Sequence, residues 1–100
     1  MHKFTFPFFI FLLASCSTEL TPGAQLVRQI STAMTSECTF LGPVSGSESL
    51  GFDIAGDAES AFNKVRNEVA ARGGNAFVLT NSTSSDVATN VQADAYRCPT

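Results

Sequence analysis

The sequence predicts an α+β domain in the order β-β-α-β-β, with one helix packed on a small, mostly antiparallel sheet. Three observations carry this reading. Ala58, Ala61, Phe62, Val65 and Val69 recur at three- and four-residue spacing, which makes one apolar stripe on a helix. Asn75 to Thr80 is a nearly continuous apolar run of strand length, as a buried central strand requires. Val91, Ala93 and Ala95 alternate with Gln92, Asp94 and Tyr96, the period of a half-exposed antiparallel strand.

The elements follow in order. Gln25 to Ile30 alternates weakly and is the first strand. Ser31 to Glu37 is a polar connection. Cys38 to Gly46 is the second strand, with Phe40 and Leu41 as core candidates. Pro43 has no N–H for a ladder, so this strand lies at an edge or bulges there. Ser47 to Gly56, around Leu50-Gly51-Phe52, reads as a loop. The helix spans Ala58 to Arg72, with Asp57 as N-cap and Glu59 at the positive end of the helix dipole. Lys64 and Glu68 form an i,i+4 pair on its wet side. Gly73-Gly74 ends it, one of the two in the left-handed conformation. Asn81 to Asp86 is a turn region, and Val87 to Cys98 is the last strand.

The first 15 residues stand apart. They hold ten apolar residues, five of them phenylalanine, and no acid. Lys3 precedes an apolar run from Phe4 to Leu13, too short for a bilayer that needs about 20 residues. This is the pattern of an export signal. Leu13-Ala14-Ser15-Cys16 matches the bacterial lipobox, and resembles bacterial lipoproteins as a class. The resemblance implies diacylglyceryl transfer to the Cys16 thiol, cleavage before Cys16 and acylation of the new amino terminus. Two or three acyl chains anchor a protein stably where one does not. Ser17 in place of Asp implies sorting to the outer membrane. The organisation is therefore signal 1–15, lipidated N-terminus and short tether 16–24, and a single domain 25–100.

Residues 16–100 carry five Lys+Arg against nine Asp+Glu, a net side-chain charge of −4. This argues against nucleic acid, which needs a basic footprint, and against a polybasic membrane patch. His2 leaves with the signal, so imidazole catalysis and His-based metal sites have no residue to use. Lys64 is the only lysine in this part, and no catalytic constellation assembles. Asp53, Asp57 and Glu59 lack the spacing of a calcium loop. No metal and no cofactor is expected. Arg66 and Asn67 are candidate ligand contacts, with packing along the sheet edge the simpler role. Cys38 and Cys98 remain after Cys16 is lipidated. In an oxidising compartment such a pair is most simply a disulfide, since it lacks Cys-x-x-Cys spacing.

Cys38-Thr-Phe-Leu-Gly-Pro-Val, Val65-Arg66-Asn67-Glu68-Val69-Ala70, Gly73-Gly74-Asn75-Ala76 and Ala95-Tyr96-Arg97-Cys98 together resemble a family of small bacterial outer-membrane lipoproteins of unknown function. That family is similar in fold to RcsF, the Rcs stress-sensor lipoprotein. The resemblance covers most of residues 20–98 and implies the fold and a location on the periplasmic side of the outer membrane. RcsF has four cysteines and a long proline-rich tether, whereas here Cys38 and Cys98 remain behind a short one.

Two function classes follow. The first is an envelope protein, structural or stress-related, that is held to the membrane by its lipid and acts through contact with an outer-membrane protein. Its partner surface is the solvent face of the last strand, Gln92, Asp94 and Tyr96, with Phe52 and the loop Ser45 to Gly56 beside it. The second is a small periplasmic binding module for a ligand or envelope polymer, with that loop as its lip.

Overall fold

The computed structural model describes residues 19–49, 54–85 and 88–100. A 3-10 turn at Gly23–Leu26 leads into β1, Arg28–Ile30. A second turn at Thr32–Met34 precedes β2, Thr39–Glu48. The single helix α1 spans Ile54–Ala71, and β3 (Ala76–Ser84) and β4 (Thr89–Arg97) complete the chain. The sheet order is β1-β3-β4-β2. β4 runs antiparallel to both neighbours and β1 lies parallel to β3. β2 and β3 are therefore parallel to each other with β4 between them, and α1 crosses over β4. The sheet is mixed, and the fold is the α+β arrangement of one helix on four strands.

α1 closes one face of the sheet. Ala61, Val65 and Val69 are fully buried against Val44, Phe77, Val91, Ala93 and Ala95. Phe62 packs at the margin of this core. The helix approaches β2 closely: a Cβ at Gly46 would lie 2.4 Å from the Ala61 carbonyl oxygen. The helix ends in a Schellman motif. Gly73 has φ +83°, its N–H donates to Ala70, and the Gly74 N–H donates to Val69 at 2.8 Å.

Several expectations need correction. The helix starts at Ile54, so Asp57 is inside the first turn, buried, rather than at the N-cap. Ser45 to Glu48 belongs to β2 and Ile54 to Gly56 to α1, so the connection is short; Leu50 to Asp53, Phe52 included, lie outside the described residues. Phe40 is 56% exposed rather than core. The bulge at Leu41, between Phe40 and Gly42, turns Leu41 to the core margin instead. Pro43 lies on an edge strand just past that bulge, as its missing donor requires. The first strand is shortened to three residues because Gly23–Leu26 turns. β3 continues through Asn81–Ser84, all exposed, and the hairpin turn falls later, with the Ser85 N–H donating to the Ala88 carbonyl.

The Lys64–Glu68 pair does not form. Lys64 turns to Glu48, 3.1 Å away, and Glu68 pairs with Arg72 at 3.1 Å. Acid before base at i,i+4 is the better orientation on a helix, which favours Glu68–Arg72 over Lys64–Glu68.

Candidate functional site

β4 sorts its side chains cleanly. Val91, Ala93 and Ala95 go under α1, while Gln92, Asp94 and Tyr96 point to the opposite face. Register sets their neighbours: Ser45 and Asn81 flank Gln92, and Pro43 and Val78 flank Asp94. A cleft of about 560 Å³ lies here, lined by Pro43, Ser45, Thr80, Gln92 and Asp94 together with Glu68 of α1 and Arg72 just past its end. Tyr96 is half-buried and stands edge-on to Phe40, with ring centroids 5.6 Å apart. The fold thus gathers Gln92 and Asp94 at one cleft and turns Tyr96 toward the sheet edge. The lining offers amide, hydroxyl, carboxylate and guanidinium hydrogen bonding. Asp57 and Glu59 sit two positions apart on α1, one buried and one exposed, and do not converge. Among the described residues no group of three His, Cys, Asp or Glu side chains is placed to hold a metal.

A buried polar cluster escaped the sequence reading. Glu48 faces α1 at the end of β2, only 9% exposed. It accepts hydrogen bonds from the Ser60 hydroxyl at 2.8 Å and from Lys64 Nζ at 3.1 Å. Lys64 also donates to the Ser47 carbonyl at 2.7 Å. The Ser60 hydrogen bond holds the Glu48 carboxyl below its ordinary pKa; burial opposes this, and Lys64 adds to the lowering. Opposite Glu48 in the ladder is Thr89, fully buried, its hydroxyl 3.2 Å from that of Ser84. Ser60 is 1% exposed, so this arrangement ties strand to helix and offers no open approach to the hydroxyl. The signal was present in the alternation Val44-x-Gly46-x-Glu48, but the Ser/Gly content of this stretch reads as loop.

Two asparagines clamp backbone at Glu19 to Thr21 and at Cys98. Asn67 donates from Nδ2 to the Glu19 carbonyl and accepts from the Thr21 N–H, both at 2.9 Å. Asn75 does the same for Cys98, donating at 2.9 Å and accepting at 2.8 Å. Each side-chain amide acts as a substitute strand edge. Arg66 lies over the Phe77 ring at 5.7 Å. Both ligand candidates on the helix flank are thus engaged internally. Within the stretch 16–24 expected as a tether, Glu19 and Thr21 are pinned to α1 and Ala24 is fully buried.

Cys38 and Cys98 are joined by a disulfide. It secures the start of β2 to the end of β4, one position beyond the Thr39–Arg97 pair. A second cavity of about 570 Å³ lies beside it, lined by Leu26, Arg28, Asn75, Arg97, Cys98 and Pro99.

The disulfide-tied, single-helix domain extends to Cys98, and a family described as a domain of unknown function (DUF4156) matches residues 18–98. The chain belongs to this family. It is similar to the uncharacterized protein YjeI of Escherichia coli K12, 32% identical over 88% of this chain and 87% of that one. YjeI of Shigella flexneri matches to the same degree. The fold resembles the solution structure of the Salmonella typhimurium LT2 secreted protein STM0082, with a TM-score of 0.58, 18% identity, and coverage of 95% of this chain and 91% of that one. Among the described residues no helix is long and apolar enough to cross a membrane.

Proposed function

We propose that this DUF4156 protein is a lipid-anchored envelope protein, held at Cys16 on the periplasmic side of the outer membrane, that acts by protein–protein contact rather than by catalysis. The observation that carries the reading is the position of the folded domain relative to the lipobox. Asn67 pins the chain at Glu19, three residues past Cys16. Three residues reach at most about 11 Å. A domain held so closely meets membrane-bound partners at high effective concentration, where weak contacts suffice. The surface it offers is the strip around Gln92 and Asp94. The likeness to a secreted protein supports export. The likeness in fold to RcsF, and with it a stress-related role, belongs to this proposal.

The cleft beside Asp94 and Arg72 favours a second reading, a binding module for a small ligand or envelope polymer. Crosslinking in the native envelope from a photoreactive residue at Gln92 separates the two. A defined outer-membrane protein adduct, lost on Asp94→Lys, supports the contact reading. Adducts only to a polymer or small molecule support the module and refute contact. Intact mass spectrometry of membrane-extracted protein should give residues 16–100 with acyl groups on Cys16; an unmodified Cys16 refutes the anchor.

A further inference from the structure

We infer that the disulfide end of the sheet is a membrane-docking surface, on which Leu26, Met34 and Phe40 enter the bilayer interface while Arg28 and Arg97 meet lipid phosphates. This rests on the anchor proposed at Cys16.

Three large apolar side chains are conspicuously exposed among the described residues: Leu26 at 80%, Met34 at 57% and Phe40 at 56%. They are far apart in sequence, yet each is tied to the Cys38–Cys98 bridge. Leu26 lines the cavity that Cys98 and Arg97 also line. The Met34 carbonyl is 3.6 Å from Cys38 Sγ. Phe40 pairs in register with Tyr96, two residues before Cys98. A scatter of single exposed apolar residues needs no explanation, but convergence on one end does.

The charges share this polarity. Arg28 and Arg97 line the same cavity as Leu26, and Arg97 is held in place by donating to the Gly73 carbonyl at 2.9 Å. Glu37 beside Cys38 and Glu19 at the Asn67 clamp offset these charges in part, and Arg72 is paired with Glu68. The acids Glu48, Asp57 and Glu59 lie toward the other end, where β2 finishes and α1 begins. Apolar side chains beside arginines suit the headgroup–acyl boundary, and each cation near an anionic surface contributes about 1 kcal/mol.

The chain's own attachment selects lipid over other occupants. After the Asn67 clamp the backbone passes Gly23, where a Cβ would lie 3.8 Å from Ala70 Cβ on the last turns of α1, and reaches Leu26 three residues later. The pinned N-terminal segment therefore leads directly to this end of the domain. At most about 11 Å of chain links Cys16 to the clamped Glu19, so an acylated protein holds the segment that leads to Leu26 close to the bilayer.

The chain has no tryptophan, so single tryptophans report position cleanly. Acylated full-length mature protein is reconstituted into phosphatidylethanolamine vesicles containing phosphatidylglycerol and brominated lipid. Leu26→Trp and Phe40→Trp should be quenched, and Thr83→Trp, exposed at the far end of β3, should not. Arg28→Gln should lower the docking equilibrium constant read from Leu26→Trp quenching about fivefold in anionic vesicles, with little change in phosphatidylcholine. Unquenched Leu26→Trp on protein whose Cys16 acylation is verified by mass overturns docking and leaves the anchor standing. Equal quenching at all three positions overturns it too, as does a dimer whose interface shields Leu26→Trp from lipid. An unmodified Cys16 overturns anchor and docking together.

Discussion

Replacing Gly46 by alanine tests how closely α1 sits on the sheet. The added Cβ would lie 2.4 Å from the Ala61 carbonyl oxygen, 2.9 Å from Lys64 Cβ and 3.3 Å from Val65 Cγ2. Carbon–oxygen contacts settle at about 3.3–3.6 Å, so the helix must retreat by about 1 Å. The nearest obstacle is backbone and cannot rotate away. A gap of about 1 Å removes up to half of each dispersion contact behind it, and Ala61 and Val65 are both fully buried. Overpacking of this kind costs about 3 kcal/mol, offset by about 0.5–1 kcal/mol from the better strand propensity of alanine. The net loss is about 2 kcal/mol or more, a fall in Tm of about 8–16 °C for a domain of this size. Thermal and urea unfolding of the oxidised protein measure it. Gly73 is the contrast, because a Cβ there meets nothing within 4 Å and only its φ of +83° resists substitution. Gly73→Ala should cost about 1–2 kcal/mol, and Gly73→Asn should recover much of that, since asparagine tolerates the left-handed region. Gly46→Asn should be worse than Gly46→Ala. A Gly46→Ala protein within about 0.5 kcal/mol of wild type would refute the close helix–sheet approach.

Two further outcomes follow from the tied chain and the buried cluster. The disulfide closes a loop of sequence separation 60, for which chain entropy gives about 4 kcal/mol; Cys38→Ser with Cys98→Ser should lose stability on that scale in denaturant, and an unchanged midpoint would remove the bridge from the account. Glu48 has a lowered folded pKa, so its contribution is present above the unfolded carboxyl value and is lost as pH falls through the folded one. Glu48→Gln should therefore destabilise most at neutral pH and flatten the acid limb of the stability profile below about pH 4.5; parallel profiles for the two proteins would show that Glu48 does not drive it.

Local periodicity made much of the fold legible. The spacing of Ala61, Val65 and Val69 marks a helix wherever it docks, because 3.6-residue geometry alone puts them on one face. The alternation of Val91, Ala93 and Ala95 separates the covered face from the face of Gln92 and Asp94 for the same reason. Gly73 announces the helix end through a backbone conformation that few residues share. The candidate partner strip is legible to that extent, and Tyr96 departs from it because Phe40 captures its ring.

Partner choice was settled only by tertiary structure. Nothing local says that β1 lies parallel beside β3 or that β2 takes the far edge. Glu48 looks like a loop acid until strand β2 carries it beneath α1, where a carboxylate must be paired. That need draws Lys64 away from Glu68 and recruits Ser60. The asparagine clamps belong to the same class: Asn67 and Glu19 are 48 residues apart, and their bond exists only because the helix passes the N-terminal segment. Sequence by itself determined which faces are apolar and where elements stop, since those follow from backbone geometry over a few residues. Tertiary structure decided which polar groups meet, because the free energy of burying a charge or an amide depends on what the rest of the chain brings to it.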